Sequence, residues 1–206
     1  MYICSDNLKK HFMRKINYIL VAFALVFTMA ACKTKTSTES TDDTKSTKAT
    51  FSTAVEYNDF IIGQQEKVIK AVLSMSEVMN APKINNDDLK ASYDVFGKEC
   101  KKALDTVKTM DEFNGNKAFR DESIKLFEFY YEIYQKDYKE IVEILIKGEN
   151  ISDTDVARLK EIQESITKRE NVRDGAFAEA QNKFATENNM QIIPNEVQNQ
   201  IDEKKN

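Results

Sequence analysis

The chain has 206 residues, with 30 Lys and Arg against 34 Asp and Glu, a formal net charge of −4, 1 histidine and no tryptophan. The acidic balance argues against nucleic acid or an anionic surface as the main partner. Because the only histidine is His11, close to the N-terminus, the rest of the chain lacks His-ligated metal sites, Ser-His and Cys-His nucleophile pairs, and the Glu-x-x-His elements of di-iron bundles.

A complete export signal begins at Met13. Arg14 and Lys15 are followed by an apolar run over 16–31, broken only by Asn17 and Thr28. That is the order of a secretory leader: basic start, apolar stretch, small residues at the cut. The run would span ~24 Å as a helix, short of the ~20 residues a bilayer needs, so a retained transmembrane helix is the weaker reading. Residues 1–12 precede this signal and read as an over-long gene start.

Met29-Ala30-Ala31-Cys32 resembles the lipobox of bacterial lipoproteins. The resemblance implies cleavage before Cys32 and lipid on its thiol, hence a membrane as partner. Met29 stands where the family usually carries Leu, and an ordinary signal-peptidase cut after Ala30 is the alternative. Loss of residues 1–31 removes Lys9, Lys10, Arg14, Lys15 and Asp6, leaving 26 basic and 33 acidic residues and a net charge of −7. Only Cys32 and Cys100 then remain, and with Cys32 lipidated no internal disulfide can form.

Residues 32–50 form a tether. Of the 18 residues after Cys32, 10 are Ser or Thr and none is large and apolar. Such a segment buries too little surface to offset its ordering entropy and is expected to stay disordered, reaching ~60 Å at full stretch. Signals for the cell surface, read in some lineages as an acidic run just after the cysteine, are weak, since Lys33 and Lys35 come first. The expected address is an outer membrane, facing the periplasm, with the cell surface as the alternative.

Residues 51–190 read as an all-α body. The first helix covers about 51–79, with an inward stripe of Val55, Ile62, Ile69, Val72 and Met79 that also carries Asn58 and Gln65; Ala81-Pro82 stops it. Asn85 or Asn86 caps the second. There Leu89, Tyr93, Phe96, Cys100, Ala103, Val107 and Met110 alternate in steps of four and three, the spacing of a buried helical face. Cys100, inside that stripe, reads as a small buried hydrophobe.

Asn114-Gly115-Asn116 is a turn, and the third helix follows over about 117–147. It carries two adjacent stripes: Phe119, Leu126, Tyr130 and Ile133, then Phe127, Tyr131, Tyr134, Tyr138, Ile141 and Leu145. Gly148 closes it. Ser152 with Asp155 resembles a capping box and opens the fourth helix, whose stripe is Val156, Leu159, Ile162, Ile166, Phe177, Ala180 and Phe184, turning polar at Glu170 and Arg173. Residues 191–206 are expected to be a flexible tail.

Four long helices with short connections imply an antiparallel up-down-up-down four-helix bundle; three helices with one bent or detached is the competing arrangement. Counting from each turn puts Gln65, Cys100, Tyr130 and Arg173 at similar heights, with Glu170 one turn off. Gly63 and Gly175 also fall level, which suggests a close backbone approach. The polar set reads first as a register-fixing layer in which Arg173 pairs with Glu170 or bonds Gln65 and tyrosine hydroxyls. Its alternative is a pocket where Arg173 holds an anion. An exposed Phe129 would instead signal a protein partner.

The leader, tether and helical body together resemble the small helical lipoproteins of Bacteroidetes-type bacteria. They imply a membrane-tethered, non-enzymatic interaction or structural module of the cell envelope, with an envelope protein as partner and no cofactor, metal or catalytic residue. The alternative is a bundle that binds a small molecule or lipid in a partly polar core around Tyr130 and Arg173.

Overall fold

A computed structural model describes residues 49–192; the leader, Cys32, nearly all of the tether and most of the C-terminal tail lie outside the described residues. Five α-helices build the body: α1 (Ala54–Met79), α2 (Asn86–Lys108), α3 (Ala118–Ile133), α4 (Lys139–Leu145) and α5 (Asp153–Glu187). One π-helical turn, Tyr134–Tyr138, joins α3 to α4 without a break, so the helices form four rods. No helix among the described residues is long and apolar enough to cross a membrane.

The helix starts follow from side chains that satisfy orphan backbone N–H groups. Thr53 and Glu56 form a capping box on α1, Asn85 accepts from the N–H groups of Asp87 and Asp88 on α2, and Ser152 and Asp155 form the capping box of α5. Asp155 also receives Lys147 Nζ at 2.6 Å, and these donors hold its carboxyl down to about pKa 2. At the turn after α2, Asn114 and Gly115 both adopt positive φ (50° and 78°), and Phe113 and Asn116 exchange two backbone hydrogen bonds across it. That geometry favours Asn-Gly. Gly148 ends the third rod with φ 55°.

Ring contacts fix the topology. Tyr57, at the start of α1, meets Phe113 after α2, Phe119 at the start of α3 and Phe184 at the end of α5, with centroids 5.5, 6.4 and 5.5 Å away. At the opposite end Asn86 Nδ2 donates to the Ile146 carbonyl at 3.4 Å. The rods therefore run up-down-up-down. Backbones approach closely along α1–α2, α2–α3 and α3–α5, whereas α1 and α5 stand further apart and meet through side chains.

The stripe expected on α2 is the one observed: Leu89, Phe96, Cys100, Ala103, Val107 and Met110 are buried and Tyr93 is half-buried. The first helix buries more than one stripe, adding Tyr57, Ile61, Val68 and Met75, while Val55 is only half-buried. The third rod departs from the expected uninterrupted α-helix. Its buried face runs Phe119, Ser123, Leu126, Tyr130, Ile133, then advances five residues to Tyr138 before Ile141 and Leu145. The five-residue step is the π turn, which rotates the second half so that one core-facing line continues.

The π turn also places Tyr134. Its ring lies flat against Gly97 of α2, so closely that a Cβ there would overlap it, and stacks on Tyr93 with centroids 4.5 Å apart. Tyr93 Oη donates to the Tyr134 carbonyl at 3.1 Å, an acceptor within the π turn.

Candidate functional site

Seven polar or charged residues are buried in the bundle: Asn58, Gln64, Gln65, Ser123, Glu170, Asp174 and Gln181. Three are partnered simply. Ser123 donates to the Phe119 carbonyl at 2.6 Å, and Gln181 Nε2 donates to Asn58 Oδ1 at 2.8 Å across the α1–α5 seam.

Gln65, Glu170 and Asp174 form the second polar layer. One heptad along α1 from Asn58 is Gln65, and one heptad back along α5 from Gln181 is Asp174, so the antiparallel pair brings these two to the same height. Glu170 lies one turn from Asp174 on the same face of α5. The Tyr130 hydroxyl of α3 feels the charges of Asp174 and Glu170 and interacts with the Gln65 side chain. Tyr138 of the π turn and Cys100 of α2 close the group, each interacting electrostatically with the other, and Tyr138 with Glu170.

Both oxygens of Asp174, Oε1 of Glu170 and both amide atoms of Gln65 are buried and complete no hydrogen bond of normal geometry. Among the described residues no Lys or Arg pairs with either carboxyl; the ion pairs lie elsewhere, as in Arg158–Glu140 and Arg169–Asp137. Burial pushes the Asp174 carboxyl up to about 7, and burial followed by the charge of Asp174 pushes Glu170 up to about 8. Tyr130 and Tyr138 are held well above the ordinary phenol value, chiefly by burial. Burial thus disfavours ionisation of both carboxyls, and the two side chains together resist a second negative charge.

Three of the expected layer residues, Gln65, Tyr130 and Glu170, are brought together. Arg173 is not among them: it is exposed on α5. The reason is helical phase. The buried line of α5 reads Ile166, Glu170, Asp174, Phe177, Gln181, Phe184, and Arg173 falls one position off it toward water. Both readings that gave Arg173 a buried role, as counter-ion of Glu170 and as an anion holder, are corrected, and the site has the opposite polarity.

Arg169, like Arg158, is a basic residue of α5 that reaches a neighbouring rod. It sends Nη2 to Asp137 Oδ1 at 2.7 Å and lies 5.6 Å over the ring of Phe129. Phe129 is buried beneath it, so the exposed patch that would have signalled a protein partner does not form. Cys100 is fully buried, and burial pushes its thiol well above the ordinary value, the state of an inert core cysteine.

Gly63 and Gly175 do not meet. A Cβ added at either would touch nothing within 4 Å, and Gly175 is exposed, so the expected close backbone approach does not form. Asp174 and Gln181 were missed by sequence reasoning, although counting back in steps of three and four from Phe184 through Phe177 reaches both. Compared with protein-family models, curated proteins and solved structures, the chain matches none of them.

Proposed function

We propose that this chain is a lipid-tethered, non-enzymatic module of the bacterial cell envelope. Cys32 carries the anchor, residues 33–50 form the tether, and the helical bundle serves as the body that meets a partner. What carries this reading is the run from Met13 to Cys32, a basic start, an apolar stretch and small residues set against a cysteine, followed directly by a Ser/Thr-rich segment. Two or three acyl chains on one cysteine hold a protein firmly, where a single chain gives only marginal binding. The body then needs no membrane-binding face, in keeping with its acidic balance. Outer-membrane attachment on the periplasmic side is part of the proposal.

Affinity capture from crosslinked envelopes tests it. The wild-type chain is expected to fractionate with membranes and to capture envelope proteins, and Cys32→Ala to enter the soluble fraction and lose them. Identical fractionation and capture by both forms would overturn the tether.

A second reading is favoured by one observation. The buried carboxyls of Glu170 and Asp174 retain oxygens without a hydrogen-bond partner, and unsatisfied buried polar groups call for an occupant or a purpose. On this reading the bundle binds a small molecule within its polar layer.

A further inference from the structure

The tip of the α2–α3 turn is chemically as well as conformationally distinct. Asn114-Gly115 is the only Asn-Gly pair in the chain, and both residues are exposed. Two backbone hydrogen bonds between Phe113 and Asn116, at 3.3 and 2.9 Å, hold the turn closed. Among the described residues no backbone bond uses the Gly115 N–H. Gly115 carries no side chain, and even an added Cβ would meet nothing within 4 Å, so its nitrogen stands uncrowded.

That combination suits attack of a backbone nitrogen on the preceding side chain. The Gly115 nitrogen, its proton given up to hydroxide, adds to Asn114 Cγ. The new N–Cγ bond forms as the Cγ–Nδ2 bond breaks, and Nδ2 takes up a proton and leaves as ammonia. Water then opens the succinimide ring at one of its two carbonyls, giving aspartate, or isoaspartate with the chain routed through Cγ. Water is the only co-reactant and nothing is oxidised or reduced. Ring closure goes through the opened turn, which at an exposed tip costs only the two Phe113–Asn116 bonds.

Other asparagines lack one part of this arrangement. Asn189 shares the left-handed backbone, with φ 54° against 50° at Asn114, but Met190 follows it. The Met190 N–H is bound to the Ala185 carbonyl at 2.8 Å, and its side chain packs on the core. Asn171 and Asn182 lie inside α5, where the next N–H belongs to the helical ladder.

We propose that Asn114 is a self-modification site, converting through a succinimide with Gly115 to isoaspartate and aspartate, and that the conversion loosens this end of the bundle. Isoaspartate lengthens by one carbon a two-residue turn whose length fixes its pairing, and adds a negative charge close in sequence to Asp111 and Glu112. Asn116, on the far side of the turn, caps the Ala118 N–H at 3.0 Å and donates to Glu187 at the end of α5. The lengthened turn displaces both contacts.

The test is incubation of the full chain in mildly alkaline buffer, followed by peptide mass mapping and enzymatic methylation of isoaspartate. Asn114 is expected to convert ahead of every other asparagine, with isoaspartate among the products. The converted form, separated by charge, should melt below the fresh chain. Asn114→Gln, whose longer side chain closes a ring far more slowly, should keep its melting temperature through the same incubation. Conversion at Asn189 or within α5 that equals that at Asn114, no conversion at Asn114, or aspartate without isoaspartate would overturn the site. A converted form that melts with the fresh chain would overturn the loosening.

Discussion

Gln181 on α5 donates a buried hydrogen bond of 2.8 Å to Asn58 on α1, and that bond ties the register of the two helices. The closing seam of the bundle has fewer close backbone approaches than the others, so side-chain bonds carry more of its register. Replacing Gln181 with Leu strands the Asn58 amide in the core and is expected to cost ~1–3 kcal/mol. The Asn58→Leu, Gln181→Leu pair should cost less than the two single changes added together. Urea midpoints of the three variants check this; strict additivity would mean the two amides are not coupled.

Stability should fall as pH rises. Glu170 and Asp174 have folded pKa values of about 8 and about 7, above their ordinary unfolded values, so the folded state binds more protons than the unfolded state between about pH 4 and 8. Their penalty is absent below that window and fully present above it. Denaturation midpoints measured from pH 5 to 8.5 are expected to decline by an amount worth a few kcal/mol, and Glu170→Gln with Asp174→Asn should flatten the decline. A midpoint that holds level or rises across the window in the unmodified chain would contradict the buried, unpaired state of the two carboxyls.

Arg169 and Arg173 should behave oppositely. Arg169 bridges to Asp137 and covers Phe129, so Arg169→Met is expected to destabilise by ~1–2 kcal/mol through loss of the ion pair and the cation–π contact. Exposed Arg173→Met should fall within ~0.5 kcal/mol of the original. Equilibrium unfolding of the two variants side by side decides it, and a large effect at Arg173 would mean that the phase of α5 is misassigned.

Gly97 should not tolerate a methyl group. The Tyr134 ring occupies the space its Cβ would need, and Gly97→Ala is expected to destabilise by ~1–3 kcal/mol despite the better helix propensity of Ala. Combining it with Tyr134→Ala should recover part of that loss. Melting temperatures test both, and a stabilising Gly97→Ala would show that the ring moves aside at little cost.

The architecture was legible because local signals agree along most of the chain. Asn85, Asn114-Gly115, Gly148 and Ser152–Asp155 mark boundaries that the structure honours, and the unbroken steps of α2 from Leu89 to Met110 left no room for another face. Two features were hidden. The π turn adds one residue to a rod, so of the expected second stripe Tyr131 and Tyr134 are only half-buried while Phe127, Tyr138, Ile141 and Leu145 are buried, and only the five-residue step from Ile133 to Tyr138 records the change. On α5 the sequence offered a chemical pairing, Glu170 with Arg173, that helical phase denies. Phase is set by packing over the whole of α5, and a charge match between near neighbours says nothing about it. The polar layer was foreseen at Gln65, Tyr130 and Glu170; its sign was reversed because Asp174, one residue from Arg173, takes the inward position.

The tether is tested most directly by intact-mass and N-terminal peptide measurement on the mature protein extracted from membranes. The expected result is a chain that begins at Cys32 and carries a diacylglyceryl group on its thiol. An unmodified N-terminus at Ala31 would contradict it and leave a free, secreted bundle.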